Sequence, residues 1–275
     1  MRISIAAIVR QAFSRRDIRK LFIPMTPAKH SLSPAPLSPS ARLHCRGAFT
    51  LIELLTVIAI ISILAAIILP AVARVRQSAR KAQATSDLRQ VGTAISMYAA
   101  DYKDKVPGPN GLGMNHTFNR NSDKPYYLAP AIAPYMSRRD QSKLGSDEET
   151  VPQLVCPGFL RHDPVIKRNR PHYVQNYTFE GISGKRVLGK TDNDPARQIE
   201  PPTLISLAQF SALSRIWVLT NLDQALVTDN PKMDNAGVTD SSWFKTSPAA
   251  PVWENSRLRL YFDAHVASVP RDADP

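Results

Sequence analysis

The sequence predicts an α+β protein, with one long N-terminal helix packed on a small antiparallel sheet. Three observations carry that class. Residues 48–73 form a run of twenty-six with a single charge, Glu53. From Arg74 to Tyr102 there is no proline and only Gly92, and Leu88, Val91, Ile95, Tyr98 and Tyr102 recur at spacings of three and four. Near the end of the chain Leu258, Leu260, Phe262, Ala264 and Val266 alternate with Arg259, Tyr261, Asp263 and His265. The first two patterns belong to one helix, and the third to a strand.

The apolar run comes first. As a helix, 26 residues span about 39 Å, more than the ~30 Å hydrocarbon core of a bilayer. Nine Lys/Arg precede it against one acid, Asp17, a net of +8. Four basic residues follow closely, Arg74, Arg76, Arg80 and Lys81. The excess before the run predicts an N-terminus in the cytoplasm and the bulk of the chain outside. It also accounts for most of the overall +12, since the remainder holds 26 basic and 22 acidic residues. Positive charge placed this way carries topology information and does not indicate a nucleic-acid face.

Residues 1–48 read as a basic leader, rich in Pro and Ser from Pro24 to Ser40, with weak structural pattern. A start at Met25 leaves a leader of 24 residues. Residues 49–73 are the transmembrane half of the helix and 74–105 its amphipathic half. The stripe from Leu88 to Tyr102 needs a partner surface, and the downstream domain is the natural one. Lys103–Gly111 brings two prolines and two glycines and stops the helix.

Residues 106–275 form the head, one globular domain by length. Residues 107–150 read as a long connector with short helical turns near 126–136 and a solvated acidic run at 146–149. Strands are expected at 153–156, 172–179, 204–210 and 216–220, where short apolar or β-branched pieces lie between turn residues. Residues 190–202 and 223–251 read as polar loops. The alternating segment 258–266 reads as a half-buried strand with one wet face. Of the two cysteines, Cys45 falls in the leader and Cys156 reads as a small buried apolar residue.

The segment that carries function is Arg46-Gly47-Ala48-Phe49-Thr50-Leu51-Ile52-Glu53. It resembles the prepilin-type cleavage and methylation segment of type IV pilins and type II secretion pseudopilins: a basic leader ending in glycine, then Phe-Thr-Leu-Ile-Glu, then an apolar helix. The resemblance covers roughly residues 46–102. It departs in one place, because Ala48 stands where the family has the glycine, with Gly47 one residue earlier. A cut at Ala48–Phe49 keeps Glu53 as the fifth mature residue and Pro70 as the twenty-second. A cut after Gly47 shifts both by one.

The resemblance implies a structural subunit of a pilus or secretion pseudopilus and a pilin-like fold. It implies cleavage by a prepilin peptidase, N-methylation of Phe49, and assembly roles for Glu53 and Pro70. The implied partners are further pilin-like subunits, the peptidase/methylase, an inner-membrane assembly platform and membrane lipid, with the head in the periplasm. No cofactor, metal or nucleic acid is expected. Glu53 has a physical rationale. A lone carboxylate in an apolar helix costs on the order of 2.5–3.5 kcal/mol at the bilayer centre. A neighbouring subunit's Phe49 amine offsets that by pairing with it. The alternative is a carboxylate solvated at the headgroup boundary. Pro70 removes one helical hydrogen bond, so it either loosens the helix for assembly or merely kinks it at the membrane boundary.

Other constellations are weak. Asp263 and His265 read as a surface hydrogen-bonded pair, and need a third ligand to hold a metal. Phe262-Asp263-Ala264-His265-Val266 is similar to a terminal Phe-Asp-Gly-His-Val strand of some bacterial pilin-like proteins, with Ala264 for the glycine. Asn221, Asp223, Asp229, Asp234 and Asp240 read as a solvated loop, and the alternative is a calcium-binding loop with oxygen ligands, similar to that of some major pseudopilins, though the spacing is no EF-hand. His162, Asp163 and His172 lie in no recognisable catalytic motif, and enzymatic activity is not expected. Two rivals to the pilin reading exist. One is an exported soluble protein cleaved after Ala73, at Ala71-Val72-Ala73. The other is a binding domain that uses the helix only as a tether.

Overall fold

A computed structural model describes residues 50–272 apart from 122, 125–126, 167–168, 177–178, 180–185, 193, 229–238 and 240. The chain divides into two units, residues 1–56 and 57–275. The described part of the first unit, residues 50–56, is the beginning of helix α1 (Leu51–Asp101).

In the second unit α1 continues to Asp101 and is followed by β1 (Gly113–Met114), β2 (Thr117–Asn119), α2 (Leu128–Ile132), β3 (Glu148–Thr150) and β4 (Tyr173–Gln175). Next come α3 (Leu204–Phe210), β5 (Trp217–Asn221), α4 (Gln224–Thr228), α5 (Ser242–Lys245), β6 (Ser256–Tyr261) and β7 (Val266–Pro270). Five strands form one antiparallel sheet in the order β1-β4-β5-β6-β7, and β2 pairs with β3 separately. The α+β arrangement of a long helix with a small antiparallel sheet is thus the one expected.

The amphipathic stretch of α1 does what its periodicity predicts. Ala84, Leu88, Val91, Ala94 and Ile95 enter one core with Leu219, Leu258, Leu260 and Phe262. Each fully buried Leu, Val or Ile stabilises by about 1.5–3 kcal/mol. Small residues in the stripe let the backbones approach. A Cβ on Gly92 would lie 2.9 Å from Ala264 Cα, Ala264 Cβ and Leu260 Cδ1, so only glycine fits there. The helix ends as Lys103 and Asp104 take left-handed φ values of 55° and 65° and the Asp104 N–H bonds Ala99 O at 2.8 Å. These are the usual devices of a helix C-terminus. Tyr102 is the exception to the stripe. It is 54% exposed and stacks over Tyr98, with ring centroids 4.2 Å apart.

The central strands β5 and β6 are largely buried. A second cluster of Leu112, Val174, Trp217, Leu222, Leu226, Val227 and Phe244 packs on the other face from α1, with α4 and α5 supplying its last three members. β5 is buried at all five positions. β6 is buried from Arg257 to Leu260, so the wet face expected for 258–266 fails at Arg259, while Asp263 and His265 are exposed. That segment is also not one strand. Residues 262–265 turn the chain, Ala264 has a φ of 64°, and β6 and β7 form a hairpin with Leu260 opposite Val266.

Two further strand expectations are corrected. Residues 152–154 form a 3-10 turn, begun by Pro152 and leaving Cys156 fully buried. Residues 204–210 are helix α3, started by a reciprocal capping box in which Thr203 and Ser206 exchange side-chain-to-backbone bonds. The connector 107–150 carries its expected helical turns but also β1, β2 and β3. Strand β4 covers only 173–175 of the expected 172–179, and 177–178 lie outside the described residues. The loop 223–251 holds α4 and α5.

Asn221 and Asp223 are not solvated. Asp223 is fully buried and receives Arg257 through Nε at 2.7 Å and Nη2 at 2.8 Å. Arg257 Nη1 also reaches Arg271 O at 2.9 Å. Asp223 Oδ1 accepts the Leu226 N–H at 2.9 Å and so caps α4. Asn221 Oδ1 accepts from Leu258 N at 2.8 Å and Trp253 Nε1 at 3.2 Å. Asp229, Asp234 and Asp240 lie outside the described residues.

Candidate functional site

The candidate site is the start of α1. Within the first unit Thr50 stands just before the helix and Glu53 at its third position. Thr50 Oγ1 accepts the Glu53 N–H at 3.2 Å. Glu53 Oε2 accepts both the Thr50 N–H and the Thr50 hydroxyl at 2.8 Å. This is a capping box, which satisfies two otherwise orphaned donors at a helix start. The Thr-Xaa-Xaa-Glu spacing is its sequence signal. Ala48 and Phe49 lie outside the described residues.

The large apolar side chains that follow along the helix are exposed among the described residues. Leu51 is 80% exposed. In the second unit Ile63, Ile67, Leu69 and Val75 are likewise exposed. The hydroxyls in this stretch are turned inward to the backbone: Thr56 Oγ1 donates to Glu53 O and Ser62 Oγ to Ile58 O. By length and hydropathy α1 is able to cross a membrane. Exposure of so many large apolar side chains in water is not sustainable for a monomer. Pro70 lies inside the helix and leaves the Ala66 carbonyl without its usual donor.

Past the apolar stretch the helix meets the head through polar ties that the sequence does not announce. Lys81 Nζ donates to Ser256 Oγ at 3.1 Å and Ser268 Oγ at 2.8 Å. Gln77 Nε2 reaches Glu254 Oε1 at 3.1 Å.

The other constellations are structural. Asp263 and His265 form a hydrogen-bonded pair at 2.5 Å, exposed and in the hairpin turn. His172 Nδ1 accepts the Cys156 N–H at 3.0 Å, and its ring stacks on Phe159 at 4.0 Å. His116 lies 4.8 Å from it. Burial lowers the His116 pKa to about 4 and the His172 pKa to about 3, so both are neutral at pH 7. Burial also raises the Cys156 thiol pKa, which disfavours a nucleophilic thiolate. Among the described residues no group of three or more His, Cys, Asp or Glu is placed to hold a metal.

Residues 43–69 match the prokaryotic N-terminal methylation motif. No curated protein and no solved structure matches the chain. The matched stretch includes Phe49 through Glu53 and most of the exposed apolar helix. The chain therefore carries at its N-terminus the prepilin-type signature of type IV pilins and pseudopilins.

Proposed function

We propose that the chain is a structural subunit of a pilus or type II secretion pseudopilus, anchored in the inner membrane by residues 49–73 and polymerising through that helix. The observation that carries the reading is the coincidence of the methylation motif with a helix start whose large apolar side chains are exposed among the described residues. A polymer of packed helices buries them, as the bilayer does before assembly. Residues 1–48 are the leader, 74–105 the amphipathic half of the helix and 106–275 the head. A prepilin peptidase cuts at Ala48–Phe49 and methylates the new Phe49 amine. The leader's positive charge keeps it cytoplasmic and the head periplasmic.

In this reading the Glu53 carboxylate has two successive partners. In the single chain it is held by Thr50. In the filament it exchanges that contact for the Phe49 amine of a neighbouring subunit, a charged donor in a medium of low dielectric. Pro70 leaves one carbonyl free, which lets the helix lengthen or bend as subunits pack.

Mass spectrometry of the mature N-terminus tests the proposal. A chain that begins with N-methyl-Phe49 supports it. A chain that begins at Arg74 sinks it in favour of an exported soluble protein, and an intact leader favours a plain tether.

A further inference from the structure

The membrane-proximal side of the head carries charge and apolar surface that the polymer reading does not use. Arg76, Arg80 and Gln83 lie on one face of α1 by their spacing of four and three. Arg80 and Gln83 line a cleft with Leu160, Arg161 and Ile166, and Arg161 also borders a hollow shared with Gln77. Val165 and Ile166 sit next to each other and are 49% and 48% exposed. Arg76, Arg80 and Arg161 are exposed, and none makes an ion pair with another described residue. Of the acids nearby, Asp163 is paired with Arg170, while Glu254 accepts a hydrogen bond from the neutral Gln77 amide and borders the second hollow with Arg161.

The height of this cleft along the helix is informative. The apolar run read as membrane-spanning ends at Ala73. Arg76 and Arg80 follow at three and seven residues, roughly 4.5 and 10.5 Å further along the axis, and helical side chains lean back toward the N-terminus. The headgroup zone of one leaflet is about 5–8 Å thick. Arg76 therefore stands at headgroup depth when the apolar run is in the hydrocarbon, and the Arg80 side chain, leaning back along the helix, reaches it; Ile166 shares the Arg80 cleft. Basic groups beside an apolar tip are the chemistry of interfacial anchoring.

We propose that Arg76, Arg80, Arg161, Val165 and Ile166 form a docking surface for the anionic headgroups of the bilayer that the chain's own helix crosses. The apolar pair enters the interface and the guanidinium groups bind lipid phosphates. This seats the head before assembly. The proposal rests on the membrane-spanning reading of residues 51–73.

The test uses the full chain with Cys45→Ser, reconstituted in phosphatidylcholine vesicles with or without phosphatidylglycerol. An environment-sensitive fluorophore is placed at Ile60→Cys, Ile166→Cys or Ile205→Cys, and quenched by nitroxide lipids labelled in the chain or the headgroup. Cys156 is fully buried and stays as it is. The expected result has four parts. Position 60 is quenched by chain-labelled lipid in both vesicles. Position 166 is quenched by headgroup-labelled lipid at least about twofold more with phosphatidylglycerol, an effect that falls by half or more in about 1 M salt, where the screening length is ~3 Å. Arg80→Gln with Arg161→Gln lowers it to the same extent. Position 205, beside Asp104 at the far end of α1, is not quenched.

Absence of quenching at 60 overturns the membrane-spanning reading and this proposal with it. Quenching at 60 with none at 166 overturns the docking surface alone. Quenching at 166 that ignores lipid charge, salt and the arginine changes overturns the anionic recognition. A signal at 166 that grows with protein density and not with phosphatidylglycerol assigns the surface to a second copy and likewise overturns it.

Discussion

Asp223→Ala removes a carboxylate that is fully buried and faces Arg257, itself 2% exposed. Two charge-assisted hydrogen bonds vanish, at 2.7 and 2.8 Å. Arg257 keeps only the neutral Arg271 carbonyl and stays in the core as an uncompensated charge. Breaking one side of such a pair costs about 3–5 kcal/mol. The same carboxylate caps α4 through the Leu226 N–H, and losing a cap costs roughly 1 kcal/mol more. The sum, about 4–6 kcal/mol, is comparable to the whole stability of many domains. Urea unfolding of the detergent-solubilised chain reports it through Trp217 and Trp253, both buried. Asp223→Leu combined with Arg257→Met replaces the pair by apolar groups and is expected to recover at least about 2 kcal/mol of the loss. A single mutant within about 1 kcal/mol of the parent refutes the reasoning. So does a double mutant as unstable as the single, because the cost then lies in packing and not in a stranded charge.

Three other outcomes follow from the same geometry. Ala264→Gly relieves a left-handed residue at φ 64° and should stabilise by about 0.5–1 kcal/mol, read as a higher urea midpoint at unchanged slope. Gly92→Val puts a branched side chain where a Cβ alone lies 2.9 Å from Ala264 and Leu260, and should lower stability by about 1–3 kcal/mol in the same assay. His116 and His172 are buried neutral, with pKa values of about 4 and about 3 against 6.5 in the unfolded chain. Below pH 6.5 the unfolded state binds the extra protons, so their contribution is complete above that pH. It is lost between 6.5 and about 3, by at most about 1.4 kcal/mol per pH unit and histidine. Replacing His116 with Phe should flatten the acid limb of a stability-versus-pH curve, and an unchanged limb refutes the assignment.

What the sequence discloses is what its short-range pattern encodes. α1 is legible because its breakers are few and its stripe from Leu88 to Tyr98 recurs with the helical period. Tyr102 departs because left-handed Lys103 and Asp104 end the helix and leave its ring lying on Tyr98 instead of in the core. Residues 204–210 are apolar in too short a run for periodicity to separate strand from helix. The deciding signal is the cap formed by Thr203 and Ser206. The turn inside 258–266 hides because Ala264 takes a conformation that glycine usually signals. The pairing of Asp223 with Arg257 joins residues 34 apart, and no local pattern reports it.

The start of α1 differs from all of these, since its chemistry is wholly local. Thr50 and Glu53 are three residues apart, and that spacing is at once a capping box and part of the matched methylation motif. The coincidence has a physical consequence. A bare carboxylate entering a bilayer carries a cost of on the order of 2.5–3.5 kcal/mol near its centre. The Thr50 hydroxyl and N–H bond the carboxylate within the single chain, which lowers that cost for the proposed membrane-inserted subunit. In the proposed filament the charged Phe49 amine of the next subunit takes the place of these two neutral donors. Thr50→Val removes the hydroxyl but keeps the shape. It should lower the amount of subunit stably inserted before assembly more than it lowers the order of filaments that do form, measured by membrane fractionation beside filament yield. Equal loss in both refutes the division of labour between Thr50 and the neighbouring amine.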